Sequence, residues 1–314
     1  MGVPTAGRDY TDEEIRSFVR DLESLSGGDL TVSLLVGCGE RAVPPLRELL
    51  LNGKPRGVFQ PRQRAVETLA ELGAKDVLME YLTQKRVIAD AVVRFGEEAI
   101  ENTAARELAR WPTDEVFEFL TNLTQRRMLP GAVDALGGFG RPEATPVFVK
   151  ALGDDVSRPS AEKALRAIRE KVKPALLQAA RRVSAQEDEK PSERQRRRSV
   201  VRILADMMLT EEEWNELKLL LQDGDPEIEI MTAEMAVDWA PPAEKQIAAR
   251  FLIRSLDSVH WFLQICIQEC LGRNYEVLHE LIAQEANVRR RAARGEPLAD
   301  PVLRILEKLQ SRRK

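Results

Sequence analysis

The chain has 314 residues, 43% hydrophobic and 5% aromatic, with a formal net charge of −4. That is enough apolar material for a core, in a composition that favours helices over strands. No run of 18 apolar residues occurs, which excludes a spanning helix, and three cysteines (Cys38, Cys266, Cys270) are too few for a disulfide framework.

The start, MGVPTAGRDYTDEEI, has no basic stretch leading into an apolar one, so no secretory signal is expected. Ala6 stands where a myristoylation start wants Ser or Thr. With so few cysteines, a reducing, cytoplasmic setting is expected. Thr11 with Glu14 fits a capping box and opens an N-terminal cap-helix region, 1–28.

The stretch GCGERAVPPLRELL, 37–50, sets a pattern that recurs down the chain. Gly37 and Gly39 end one short helix, because glycine tolerates the left-handed backbone that closes a helix. Pro44 and Pro45 suit the first turn of the next, where backbone N–H groups have no partner. Similar hairpins start at Arg62, Glu101, Leu129, Arg158, Arg197, Glu227 and His260. Small residues anchor them at Ala65, Ala104, Ala132, Ala161, Val200, Ala233 and Cys266, about 34 residues apart on average. A small side chain at such a position lets stacked helices approach, and neighbouring hairpins then share one continuous core.

Whether 97–110 is one helix or two stays open at this level. SAQEDEKPSE, 184–193, reads as a loop or hinge between two halves of the array, 29–183 and 194–285. Thr210 with Glu213 gives a second capping box. Residues 286–314 form a basic tail whose last amphipathic segment, Val302–Gln310, is expected to cap the array.

GCGERAVPPLRELL, RFGEEAIENTA and FGRPEATPVFVKALGD resemble the turn and first helix of HEAT repeats. The likeness is to the short bacterial HEAT-like, or PBS-lyase-type, class, over most of residues 29–285. It implies an all-α superhelix of helical hairpins. For function it implies a scaffold or adaptor, with bilin-lyase subunits and, more distantly, alkyl-purine DNA glycosylases among its members. From that branch Trp239 beside Asp238 merits notice, although VDWA matches no motif.

Charge is unevenly spread. Ser157 to Arg202 holds 14 Lys and Arg against 6 Asp and Glu, and the tail from Ala286 holds 9 against 3. The segment RQRRRS contributes Arg194, Arg196, Arg197 and Arg198. With Arg158, Lys163, Arg166, Arg169 and Arg202 these are expected on second helices of neighbouring hairpins, as a positive stripe for an acidic partner protein. Nucleic acid is a less favoured partner at a pI near 5.6, and no membrane is expected. Reversing Arg196, Arg197 and Arg198 to Glu is expected to abolish partner capture with thermal stability nearly unchanged.

His260, His279, Cys266 and Cys270 are weak metal candidates, because their spacing is looser than structural zinc uses and FLQICIQECL reads as a buried helix. Glu97, Glu98, Glu101 and Glu211 to Glu213 are expected in helix first turns, where negative charge suits the macrodipole. No phosphate loop, dinucleotide fingerprint, nucleophile elbow or HExxH motif occurs. The sequence therefore points to a non-catalytic protein-interaction scaffold, with no cofactor implied. Nucleic-acid binding through the arginines, and a bilin-lyase-like cofactor chaperone, are the alternatives.

Overall fold

The computed structural model describes residues 9–24, 28–181, 189–292 and 300–311. Every regular element among them is a helix, as the sequence requires. The chain divides into two compact units, Met1–Ile168 and Arg169–Lys314. The expected hinge at 184–193 falls inside the second unit, and its residues 184–188 lie outside the described residues.

The first unit contains α1 (Asp12–Asp21), α2 (Gly28–Gly37), α3 (Val43–Asn52), α4 (Gln60–Glu71), α5 (Lys75–Thr83) and α6 (Ala91–Glu107). It continues with α7 (Asp114–Arg126), α8 (Pro130–Phe139), α9 (Thr145–Ala151) and α10 (Arg158–Ile168). Helices α2, α4, α6, α8 and α10 each pack on the next in one layer. Helices α3, α5, α7 and α9 form the other, each returning against its own hairpin partner or the following one, while α1 covers α2 and α3. The opening motif behaves as its residues dictate. Gly39 adopts φ +65°, a short 3-10 turn follows, and the two prolines occupy the first turn of α3.

Both capping boxes form, with the Thr11 and Thr210 hydroxyls accepting from the Glu14 and Glu213 amides. The open question at 97–110 resolves as one long helix, α6, which ends in a 3-10 turn at Leu108–Arg110.

Ala65, Ala104, Ala132 and Ala161 are all completely buried between successive helices of the first layer. The position before each anchor is often small as well: Thr103, Gly131 and Ser160. Gly131 shows why, since a Cβ there would lie 2.0 Å from the backbone oxygen of Asn102 on α6. The Gly131 amide instead donates to Asn102 Oδ1 at 2.9 Å.

Glu97, Glu98 and Glu101 depart from expectation. All three lie mid-helix rather than in a first turn; Glu98 is exposed, while Glu97 and Glu101 are buried, their charges met across the layers. Glu97 pairs with Arg62 and Arg86 and accepts from the Tyr81 hydroxyl at 2.7 Å. Glu101 pairs with Arg127 at 2.5 Å. Both arginines that serve Glu97 also donate to the Leu50 carbonyl at the end of α3. The network therefore ties three consecutive hairpins.

The second unit contains α11 (Lys173–Ala180), α12 (Pro191–Ala205), α13 (Glu211–Leu217), α14 (Pro226–Trp239) and α15 (Pro242–Ser255). It ends with α16 (Trp261–Arg273), α17 (Tyr275–Ala292) and α18 (Pro301–Ser311). Helices α12, α14, α16 and α18 pack in series, and α11, α13, α15 and α17 return beside them. The expected terminal helix is α18, which lies on α16 and α17.

Candidate functional site

In the second unit α12, α14 and α16 enclose a cleft of about 500 Å³. Helix α12 contributes Arg202, with Ala205 and Asp206 at its end. Helix α14 contributes Glu227, Met231, Glu234, Met235 and Asp238, which recur at three- and four-residue steps and so share one face. Helix α16 adds Phe262, Leu263, Cys266 and Arg273.

Four carboxyls face two guanidiniums there, and both guanidiniums are paired. Arg202 bonds to Glu227 at 2.8 Å, and Arg273 to Asp238 at 2.9 Å. Asp238 also accepts from the Asn274 side chain at 2.7 Å.

Glu234 is different. Its Oε1 is buried and has no hydrogen-bond partner among the described residues. Burial pushes its carboxyl up to about 7; Arg273 opposes the shift, while Asp238 and Glu269 add to it. A carboxyl in that range populates both protonation states near neutrality, which suits proton exchange with a bound group. Burial also raises the thiols of Cys266 and Cys270, with the Glu234 charge as the next cause. Neither is a ready thiolate.

The mouth carries aromatic surface. His260 and Trp261 each approach Phe262, at ring separations of 6.3 and 6.1 Å, and Trp261 is 71% exposed.

Two sequence signals lead here. Val200 and Ala233 are buried as anchors, but Cys266 is only half-buried and lines the cleft. The preceding position is Ser199 and Thr232 in the first two hairpins, but Ile265, exposed at 43%, in the third. Glu234 itself gives no signal in the sequence, because one glutamate on a helix makes no motif. Asp238, notable for its neighbour Trp239, does line the cleft.

The expected arginine stripe is not a free positive surface. Apart from Arg169, in the 3-10 turn after α10, its members lie on α10 of the first unit and α12 of the second, each among its own unit's first helices rather than second, because each hairpin begins with the small-residue helix. On α12, Arg198 pairs with Asp225 at 2.8 Å and with Glu227 at 2.9 Å, and Arg194 lies 3.7 Å from Glu189. Arg202 pairs as described, and Arg196 has a buried Nε without a partner among the described residues. Arg197 is 1% exposed; it donates to the Ala180 carbonyl at 2.9 Å and pairs with Glu189 and Asp223. A Glu there removes the anchor of three chain segments, so the expectation that the triple reversal spares stability is corrected. In the first unit Arg158 pairs with Asp155, Arg166 with Glu162 at 3.2 Å, and Lys163 is exposed. Arg169, at the head of the second unit, holds φ +61°.

The metal candidates do not converge. His260 stacks on Phe262, His279 Nδ1 lies 2.9 Å from the Glu276 carbonyl, and Cys270 is packed in the core. No group of three or more His, Cys, Asp or Glu among the described residues is arranged to hold a metal.

No family model matches the chain, and no curated protein does. Solved structures do match. One is human deoxyhypusine hydroxylase in complex with glycerol, 16% identical, covering 90% of this chain and 98% of that one, with a TM-score of 0.30. That protein is an enzyme, in contrast to the non-catalytic, non-enzymatic scaffold expected from this sequence. At such a TM-score the likeness carries no argument about substrate or chemistry.

Proposed function

We propose that the second unit binds an organic cation with an apolar stem in the α12/α14/α16 cleft, with Glu234 as its acid–base partner. The observation that carries this reading is Glu234 Oε1, buried and without a hydrogen-bond partner among the described residues. An unsatisfied buried carboxyl is costly, and a ligand cation supplies the missing partner. The surplus of carboxyls over guanidiniums selects the sign of the ligand charge. Met231, Met235, Leu263 and the Phe262 ring supply the apolar wall and a cation–π face. Kinship with PBS-lyase-type repeats rests on the motifs at 37–50, 94–104 and 139–154. Cytoplasmic residence rests on three cysteines that form no disulfide.

The test uses n-hexylammonium as probe and hexanoate as control, with titration calorimetry and alkylation of Cys266 as readouts. The ammonium should bind more tightly as pH rises through about 7, where Glu234 ionises. It should also slow Cys266 alkylation. Glu234→Gln should weaken binding about tenfold and flatten the pH dependence. Equal or better binding of hexanoate, or binding indifferent to Glu234→Gln, would sink the reading.

A further inference from the structure

The first unit carries a second recess with the opposite electrical character. Two adjoining hollows of about 570 and 320 Å³ share Leu49 and Gly53. The larger lies between α1 and α3 and has Val19, Pro44 and Pro45 in its wall. The smaller runs on past Lys54 and Val58 towards the start of α4.

Arg16 and Arg20 overlook the first hollow, and Lys54 and Arg56 the second. All four are exposed. Arg16, Arg20 and Lys54 make no hydrogen bond or salt bridge with any described residue, and Arg56 has only a loose pair, 3.6 Å from Glu23. The other acid of the lining, Glu48, accepts from Asn52 at 2.7 Å. Four cationic groups against two carboxylates, Glu23 and Glu48, leave a positive surplus over an apolar floor. This is the reverse of α12, where acids meet the arginines.

We infer that this groove docks an extended acidic peptide bearing aliphatic side chains, a partner of the first unit distinct from the ligand of the cleft. The shape asks for an elongated occupant, since two hollows meet at Gly53. The charge asks for carboxylates above, and the prolines, Leu49 and Val58 ask for aliphatic groups below. A phosphate backbone fits less well. The two prolines remove amide donors from the first turn of α3, so that helix start does not cradle a phosphate. The hollows also contain no aromatic side chain on which a base would stack.

The experiment selects a library of random short peptides against the immobilised full chain, and repeats the selection against Arg16→Glu/Arg20→Glu and against Val58→Asp. These positions are exposed, so the variants should melt with the parent; circular dichroism checks this. Support requires enrichment of Asp or Glu with Val, Leu or Ile, and loss of that enrichment on both variants. A selected peptide should bind the parent at least about tenfold more tightly than the double variant, with affinity falling as salt rises. Enrichment without acidic residues, enrichment that survives the variants, or displacement of the peptide by an equal concentration of a short single-stranded oligodeoxynucleotide would each overturn the inference. Because Glu234 plays no part here, the Glu234→Gln chain should select the same peptides whatever becomes of the cleft.

Discussion

At the scale of single residues, two charges in opposite situations stand out. Arg197 is buried with all its partners supplied, and Glu234 is half-buried with one buried oxygen lacking any partner among the described residues. Removing Arg197 leaves Glu189, Asp223 and the Ala180 carbonyl facing each other, so Arg197→Ala should cost roughly 3 to 5 kcal/mol in urea unfolding. Arg202→Ala, which breaks an exposed pair, should cost under about 1 kcal/mol. Glu234 behaves oppositely. Its folded value of about 7 stands above the ordinary 4.5 of a glutamate, so the folded chain favours the protonated form. Stability falls as pH rises from about 4.5 to 7 and levels off beyond. Glu234→Gln should remove that slope and add up to roughly 3 kcal/mol at pH 8, measured as denaturation midpoints across pH. A substitution that strengthens the fold while weakening ligand binding is the mark of a group retained for use. None of this was legible from composition. Arginines counted along a sequence do not reveal that Asp223, Asp225 and Glu227, some 25 residues later, come round to meet them.

At the scale of elements, the sequence was most readable where local chemistry decides. The glycine stop, the prolines of α3 and both capping boxes follow from backbone rules that need no tertiary partner. The anchors followed from periodicity, and six of the seven are completely buried. The layer of the arginine helices, the mid-helix place of Glu97 and the long span of α6 depended on which helix meets which, and periodicity alone does not fix that. Gly131 gives a direct test of the stacking. Gly131→Ala forces α8 off the Asn102 carbonyl and should destabilise by about 1 to 3 kcal/mol. The same change at Gly138, where an added Cβ meets open space, should stabilise by a few tenths of a kcal/mol through helix propensity alone. Comparable thermal shifts for the two variants would refute the close approach.

At the scale of the whole chain, each unit is held by contacts between neighbouring helices. Protection from hydrogen exchange should therefore peak inside each unit and fall towards its ends. In the first unit, amides of α4, α6 and α8 should exchange more slowly than those of α1, as read by mass spectrometry. Uniform protection along the unit would contradict a nearest-neighbour array. The candidate cleft obeys the same arithmetic of neighbours. Five rungs present the anchor with a small residue beside it: Thr103, Gly131, Ser160, Ser199 and Thr232. Of the other two, the first presents Arg64 with the buried Ala65, and the last presents Ile265 with Cys266; only the last borders this cavity. In a modular scaffold a recess thus needs no new loop and no new topology. Where Ile265 turns outward and Cys266 stays half-buried, one step leaves room, while Val200 and Ala233 on the two helices before it stay buried. Such a pocket is gained or lost by drift at a pair of positions, with the rest of the ladder untouched.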